Sequence, residues 1–372
     1  MEKSLIVVQT LPALHSGGVE RGTLEIARAL VAAGHRSIVI SNGGRLVEQL
    51  VREGSEHITL PVHRKSLLSL FQIKPFRQLL KNIQPDIVHA RSRIPAWIAW
   101  FALRGISPAS KPHFITTVHG LYSISPYSAI MTKGERVVAV SETVHQYILN
   151  NYPSCPPENI NLIYRGVDPV EFPYGYQPSA EWQKQWQSDY PQLAGRKILT
   201  LPGRITRLKG HEAFVELINQ LKKEGQNVHG LIVGGAEEKK RAYLEQLKNL
   251  VSDRGLSETI TFTGLRSDIQ DILAISDIAY SLTTKPETFG RTTLEALSLG
   301  TPVIGWNAGG VGEILQAVYP EGAVTADAMT ELLQRTRSVL AAPPKINPQP
   351  VFTLARMQQE TLSLYSRLVN SH

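Results

Sequence analysis

Short apolar runs alternate with stretches of helical period along the whole chain, and that alternation leaves few folds open. Runs of strand length at residues 4–9, 37–41, 86–89, 116–119, 137–140 and 160–164 are separated by amphipathic segments such as 19–33, which Gly34 closes. Strands that alternate with helices in this way build a mostly parallel sheet covered by helices. The alternation restarts at residues 197–201 and continues through 228–233, 259–262, 277–281 and 301–305. Between the two series, residues 169–195 are rich in Pro, Tyr and Trp, with helical character over 179–187. The expected organisation is two α/β domains, 1–168 and 196–351, joined by that linker and followed by a last helix over 352–369. A chain of 372 residues is long enough for two ordinary cores.

Composition narrows the class. Hydrophobic residues at 42% and charged residues at 19% describe a globular chain rather than a disordered one. Lys3 is followed only by a brief apolar run, 5–8, which reads as a first strand and not as a secretory signal. The longest membrane-like run, 94–103, falls short of the ~20 residues of a spanning helix. A single cysteine, Cys155, leaves no intrachain disulfide and no cysteine-rich metal site. The cytoplasm is the expected compartment.

Charge is unevenly placed. Residues 1–168 hold 18 Lys/Arg against 11 Asp/Glu, while 169–372 hold 21 of each, so the whole excess of +7 lies in the first half. An anionic partner would dock there. Residues 61–81 combine Arg64, Lys65, Lys74, Arg77 and Lys81 with Leu67, Leu68, Leu70, Phe71 and Phe76. That is either a basic amphipathic segment for a membrane surface or an ordinary loop and helix with its apolar face inward; the second reading is favoured. Residues 91–104 carry Arg91, Arg93, Trp97, Trp100 and Phe101, mostly as helix packing, with room for one aromatic in an acceptor cleft. Aromatic and basic residues are not interleaved as nucleic-acid stacking platforms require, so no nucleic-acid partner is expected.

The chemistry is concentrated in residues 286–314, PETFGRTTLEALSLGTPVIGWNAGGVGEI. Glu287 and Glu295 stand eight apart. Phe289-Gly290 reads as a turn and 291–299 as a helix with Leu294, Ala296 and Leu297 on its buried side. The unpaired amides of such a helix start, from Phe289 through Gly290 and Arg291 to Thr292, favour an anion. Glu295 lies about one turn further in, at ~1.5 Å rise per residue, and reaches the same ligand. Carboxylates accept hydroxyl hydrogen bonds while amides and cations hold phosphates, so the pattern suits a phosphorylated, hydroxyl-rich ligand. Residues 301–305 read as the next buried strand and Gly309-Gly310 as a turn.

Three further features fit that ligand. Gly17-Gly18 follows the first strand, where glycine lets the backbone approach an anion. It is not the G-x-G-x-x-G fingerprint of a nicotinamide dehydrogenase. His119 ends a strand, and ligands of open α/β sheets gather at carboxyl ends of strands. Arg204 and Lys209, in a loop between strand and helix, would neutralise a diphosphate without a metal, one as a planar fork and the other as a point charge. With no Asp-x-Asp, neither Mg²⁺ nor any other metal or cofactor is expected.

Taken together, the Glu-x7-Glu spacing, the Phe-Gly after the first Glu, the Glu-Ala-Leu at the second and the Gly-Thr-Pro-Val-Ile strand resemble the retaining GT-B glycosyltransferases of family GT4. The resemblance implies two Rossmann-like domains facing across a cleft, the first for an acceptor and the second for a nucleotide-sugar, with the last helix crossing back onto the first domain. It implies that Arg204 and Lys209 stabilise the departing diphosphate, that Glu295 holds the ribose hydroxyls and that Glu287, with the amides of 289–292, positions the sugar. Gly17 and Gly18 would face the diphosphate and His119 the sugar. Arg291, Thr292 and Thr293 depart from the aliphatic residues of many relatives. Many relatives also have Asn where Arg165 stands, and no role is carried to Arg165. The expected reaction moves a sugar, with retention, from a UDP-sugar to a glycan or glycolipid hydroxyl in envelope lipopolysaccharide or polysaccharide synthesis, with peripheral contact to an anionic inner-membrane face. Two rivals stay open: an epimerase or phosphorylase of the same fold, and a non-catalytic basic membrane-binding protein.

Overall fold

The computed structural model describes residues 3–15, 17–64, 67–348 and 350–370. Contacts divide the chain into two compact units, the first comprising residues 1–165 and 354–372 and the second 166–353.

Unit 1 runs β1 (Ile6–Thr10), α1 (Gly18–Ala32), β2 (Arg36–Ser41), α2 (Val47–Arg52), β3 (Glu56–Thr59), α3 (Ile73–Ile83), β4 (Ile87–Ala90), α4 (Arg93–Leu103), β5 (His113–Val118), β6 (Arg136–Ala139), α5 (Glu142–Asn151) and β7 (Ile160–Leu162). The strands form one parallel sheet in the order β3-β2-β1-β4-β5-β6-β7. The order reverses beside β1, where Val7 pairs with Ser37 on one side and Ile87 on the other. In such sheets the carboxyl ends of the strands at the reversal form the ligand-facing crevice.

Unit 2 runs α6 (Ala180–Asp189), β8 (Lys197–Pro202), α7 (His211–Lys223), β9 (Val228–Val233), α8 (Arg241–Asp253), β10 (Ile260–Gly264), α9 (Ile269–Ala274), β11 (Ile278–Ser281), α10 (Arg291–Leu299), β12 (Val303–Trp306), α11 (Gly309–Val318), β13 (Ala323–Val324) and α12 (Met329–Ala341). Its six parallel strands follow the order β10-β9-β8-β11-β12-β13, so the reversal falls between β8 and β11. Both sheets are Rossmann-like.

The last helix, α13 (Leu354–Asn370), belongs to unit 1. Its Leu354, Met357, Leu364, Tyr365 and Leu368 share a core with Leu5 and Val7 near β1 and Ile26 and Leu30 of α1. Full burial of a side chain such as Ile26 stabilises by ~1.5–3 kcal/mol. The strands read as continuous apolar runs because helices cover both sheet faces; β9 is buried at every position.

The structure differs from the sequence reading at particular places. Gly309 and Gly310 do not form a turn; they open α11. The short helix α2 and the strand β3 were not anticipated, since β3 (EHIT) offers one aliphatic residue in four and lies at the sheet edge. In the basic segment, Phe76 and Leu80 of α3 are buried, whereas Leu70 and Phe71 are 47% and 73% exposed. Arg77 is spent on the end of α4, donating to the carbonyls of Ala102 (2.9 Å) and Phe101 (3.0 Å). Lys65 lies outside the described residues, as do the side chains of Leu67 and Leu68. Trp97, Trp100 and Phe101 are half-buried and pack on one another, with the Arg104 guanidinium 4.6 Å from the Trp100 ring. Among the described residues no helix is long and apolar enough to cross a membrane.

Candidate active site

In unit 2 the two loops that leave the sheet at its reversal carry one sequence-predicted carboxylate and both cations, and Glu295 lies on the helix that follows, α10. The loop after β8 holds Arg204 and Lys209; the loop after β11 holds Glu287. Lys209 Nζ lies 2.5 Å from Glu287 Oε1, with the two side chains 28% and 26% exposed. The pair, with Thr292 and Thr293, lines a cavity of only about 20 Å³. A sugar has no room in that cavity.

Glu287 is held from behind by its backbone. The Gly310 amide donates to the Glu287 carbonyl at 2.8 Å, and Glu287 and Gly309 form a parallel bridge. A Cβ at Gly310 would sit 2.3 Å from the Phe289 Cα. Those two glycines, which by sequence suggest a turn, are there so that the first turn of α11 can press against the 287–289 backbone.

The helix α10 begins at Gly290, whose φ of 93° is left-handed, and no side chain caps it. A helix start of this kind, with a glycine in place of a capping side chain, favours an anion. Arg291 sits at that same positive helix end, where a cation is unfavourable. Glu295 one turn on compensates it, accepting from Arg291 Nε at 3.1 Å, with the two side chains 14% and 5% exposed. Glu295 thus enters any ligand contact already bonded through Oε1. Arg204 reaches a different carboxylate: its Nη1 lies 3.2 Å from Glu237 Oε1 in the loop after β9, and its side chain is 74% exposed. Within unit 2, then, Lys209, Glu287 and Thr292 come together, Arg291 and Glu295 form a second pair beside them, and Arg204 forms a third pair with Glu237.

Unit 1 gathers His119, Gly17 and Gly18 at the ends of β5 and β1. The agent is Arg165, just beyond β7. Its Nη1 donates to the Gly18 carbonyl, and its Nη2 lies 2.7 Å from His119 Nδ1. Like α10, α1 starts at a glycine, Gly17, without a side-chain cap. A second buried cation, Arg91, donates to Gln9 Oε1 at 2.5 Å, and Gln9 donates to the Thr23 carbonyl at 3.2 Å. Under this layer His89 bridges Thr117 Oγ1 and the Tyr365 hydroxyl, each at 2.6 Å. Burial, reinforced by Arg165, Arg91 and His89, holds the His119 imidazole well below its ordinary range, so it is neutral.

Sequence reasoning missed Arg91, Gln9, Arg165 and Glu237. The one signal available was the placement of Arg91 directly after the buried strand β4; the partners of these residues are remote in sequence and could not be read from spacing.

Two family models cover most of the chain: Glycosyltransferase Family 4 over residues 16–171 and Glycosyl transferases group 1 over 183–347. Among solved structures, a glycosyltransferase from Rickettsia africae is 31% identical with a TM-score of 0.86, and the match covers 99% of both chains. The Anabaena protein HepE, in complex with UDP and glucose, is 19% identical with a TM-score of 0.81 over 97% of this chain and 99% of its own. Spore coat protein SA of Bacillus subtilis is 24% identical over 85% of this chain and 83% of its length.

Proposed function

From the premise that the chain belongs to glycosyltransferase family 4, with the GT-B fold, and is a hexosyl-transferring enzyme, we propose that it moves a sugar with retention from a UDP-sugar to a hydroxyl of a cell-envelope glycolipid or polysaccharide. The observation that carries this reading is the Lys209–Glu287 contact at 2.5 Å beside the uncapped start of α10. A cation, a carboxylate and a helix start without a side-chain cap at one place are what a pyrophosphate-linked sugar requires.

In this reading Lys209 and Arg204 exchange their carboxylate partners for diphosphate oxygens and stabilise the charge that grows there as the glycosidic bond breaks. Glu287, released from Lys209, takes sugar hydroxyls, and Glu295 takes the ribose through its remaining capacity as an acceptor. The amides of Phe289, Gly290, Arg291 and Thr292 complete the phosphate cradle of unit 2. Two cations substitute for a metal, so transfer proceeds in the presence of a chelator and needs no cofactor. The UDP in the HepE complex supports uridine as the base. The surplus of positive charge in the first half of the chain supports an acceptor at the anionic cytoplasmic face of a membrane, at ~1 kcal/mol per basic residue near the surface.

The test is a panel of UDP-, GDP- and ADP-sugars, first by thermal shift and then by product analysis. A ligand that binds only the folded protein raises its apparent stability. The expected outcome is a shift with a UDP-sugar, followed by an acceptor-dependent product of retained anomeric configuration with a chelator present. Consumption of the donor without acceptor would point instead to an epimerase, and an inverted product would overturn the stereochemistry.

A further inference from the structure

We propose that Arg165 is a positioning residue that locks His119 as a neutral imidazole carrying its proton on Nε2, so that His119 acts only as a hydrogen-bond donor to an oxygen of the bound sugar. The role given to His119 rests on the glycosyl-transfer reading above; the lock itself does not.

The geometry leaves one arrangement. A guanidinium has donors and no acceptor, and it does not lose its proton in proteins. With Arg165 Nη2 at 2.7 Å, His119 Nδ1 must therefore be the acceptor and must carry no hydrogen. The neutral ring then has its hydrogen on Nε2, since the two nitrogens divide one proton between them. Protonating the ring would set an N–H against an N–H in a buried site. Arg165 is itself anchored, since it donates to the Gly18 carbonyl and is only 8% exposed. The slot it fills exists because α1 has glycine at two adjoining positions: a Cβ at Gly18 or Gly22 would come within 3.3 Å of Nη1.

Arg91, after β4, and His89, within it, add to Arg165 in disfavouring a charged ring, and the His119 amide donates to the Tyr122 hydroxyl oxygen at 3.4 Å. An imidazole held in this way cannot take a proton from an acceptor hydroxyl, because Nε2 already carries one, and it cannot deliver one as an imidazolium. It can donate a fixed hydrogen bond.

The experiment reads the proton directly. The full chain is labelled with ¹⁵N-histidine, and the two-bond ¹H–¹⁵N correlations of His119, assigned with His119→Gln, are followed from about pH 8 to about pH 5. The expected pattern is the neutral Nε2–H form throughout, with no titration. In Arg165→Met the ring becomes a tautomer mixture, still neutral because burial, Arg91 and His89 remain, and kcat falls roughly tenfold, the value of about one oriented hydrogen bond. Arg165→Lys keeps a donor to Nδ1 and restores both the single tautomer and kcat. A wild-type ring protonated on Nδ1, or one titrating normally, overturns the lock, as does an Arg165→Met spectrum identical to wild type. Should Arg165→Met not fold, the wild-type spectrum and Arg165→Lys decide. A correct tautomer in a protein that turns over no nucleotide-sugar would overturn the proposed function and leave the lock standing.

Discussion

The cations nearest the sheet reversal in unit 1, Arg91 and Arg165, are 5% and 8% exposed and bond to Gln9, a carbonyl and an imidazole. Their counterparts in unit 2, Arg204 and Lys209, have side chains 74% and 28% exposed, and each holds a carboxylate. The difference separates two uses of positive charge. A buried cation whose hydrogen bonds go to neutral partners has nowhere to move; it orients what surrounds it. An exposed cation such as Arg204 has given up little to its carboxylate, since such surface pairs are worth about 0–1 kcal/mol, and either cation of unit 2 can trade its partner for the stronger charge-assisted bonds of a phosphate.

The sharpest way to break this contrast is Lys209→Ala. Transfer is expected to fall about 10²–10³-fold, the loss typical of one donor aimed at developing charge, while the thermal midpoint stays unchanged. A stability loss with activity intact would reverse the roles assigned to the two units. Next in size is Arg91→Met, which would leave Gln9 Oε1 without its donor and the 7%-exposed Glu25 without the nearby cation. Chemical unfolding is expected to show a loss of about 3 kcal/mol; a loss below ~1 kcal/mol would mean that the buried network of unit 1 is dispensable.

Acid sharpens the contrast further, because unit 2 buries neutral groups of its own. Burial is the main cause holding His211 and His229 down to about 4, against an ordinary 6.5. The unfolded chain therefore takes up protons near pH 6.5 that the folded chain refuses until about pH 4. Their contribution is complete above pH 6.5 and is lost as pH falls through that window, at up to ~1.4 kcal/mol per pH unit for each histidine. Urea midpoints measured from pH 7 to pH 4 should fall, and His229→Gln should flatten the slope; an unchanged slope would show that His229 is charged in the folded state. The smallest effect expected is that of Glu237→Gln, which frees Arg204 from its exposed partner. UDP should bind about two- to threefold more tightly by calorimetry, in keeping with a pair of under ~1 kcal/mol. Weaker binding would show that Glu237 helps to hold the nucleotide and does not compete with it.

Local signals in the sequence carried much of the fold. The helix over 291–299 is legible because Gly290 and Gly300 bound it and Leu294, Ala296 and Leu297 fall on one side, and α10 spans those residues. Gly309-Gly310 misled because glycine signals a turn and a close backbone approach equally well, and only the position of Phe289 tells them apart. In the candidate site, the residues that sit beside glycine in strand-to-helix loops could be named from spacing. The supporting layer could not. Arg91 meets Gln9 only because β4 lies beside β1, and His89 meets Tyr365 only because α13 returns to unit 1. Pairings fixed by topology leave no periodic trace.

The seam between Glu287 and α11 bears on how new donor preferences could be engineered. Because the Gly310 amide and the Glu287 carbonyl are bonded, and a methyl group at residue 310 would collide with Phe289, the loop that carries Glu287 and the helix α11 behave as one inheritable cassette. A graft that replaces residues 283–290 from a relative while leaving 307–312 behind would mate two surfaces shaped for different partners, so recombination points belong before β11 and after α11.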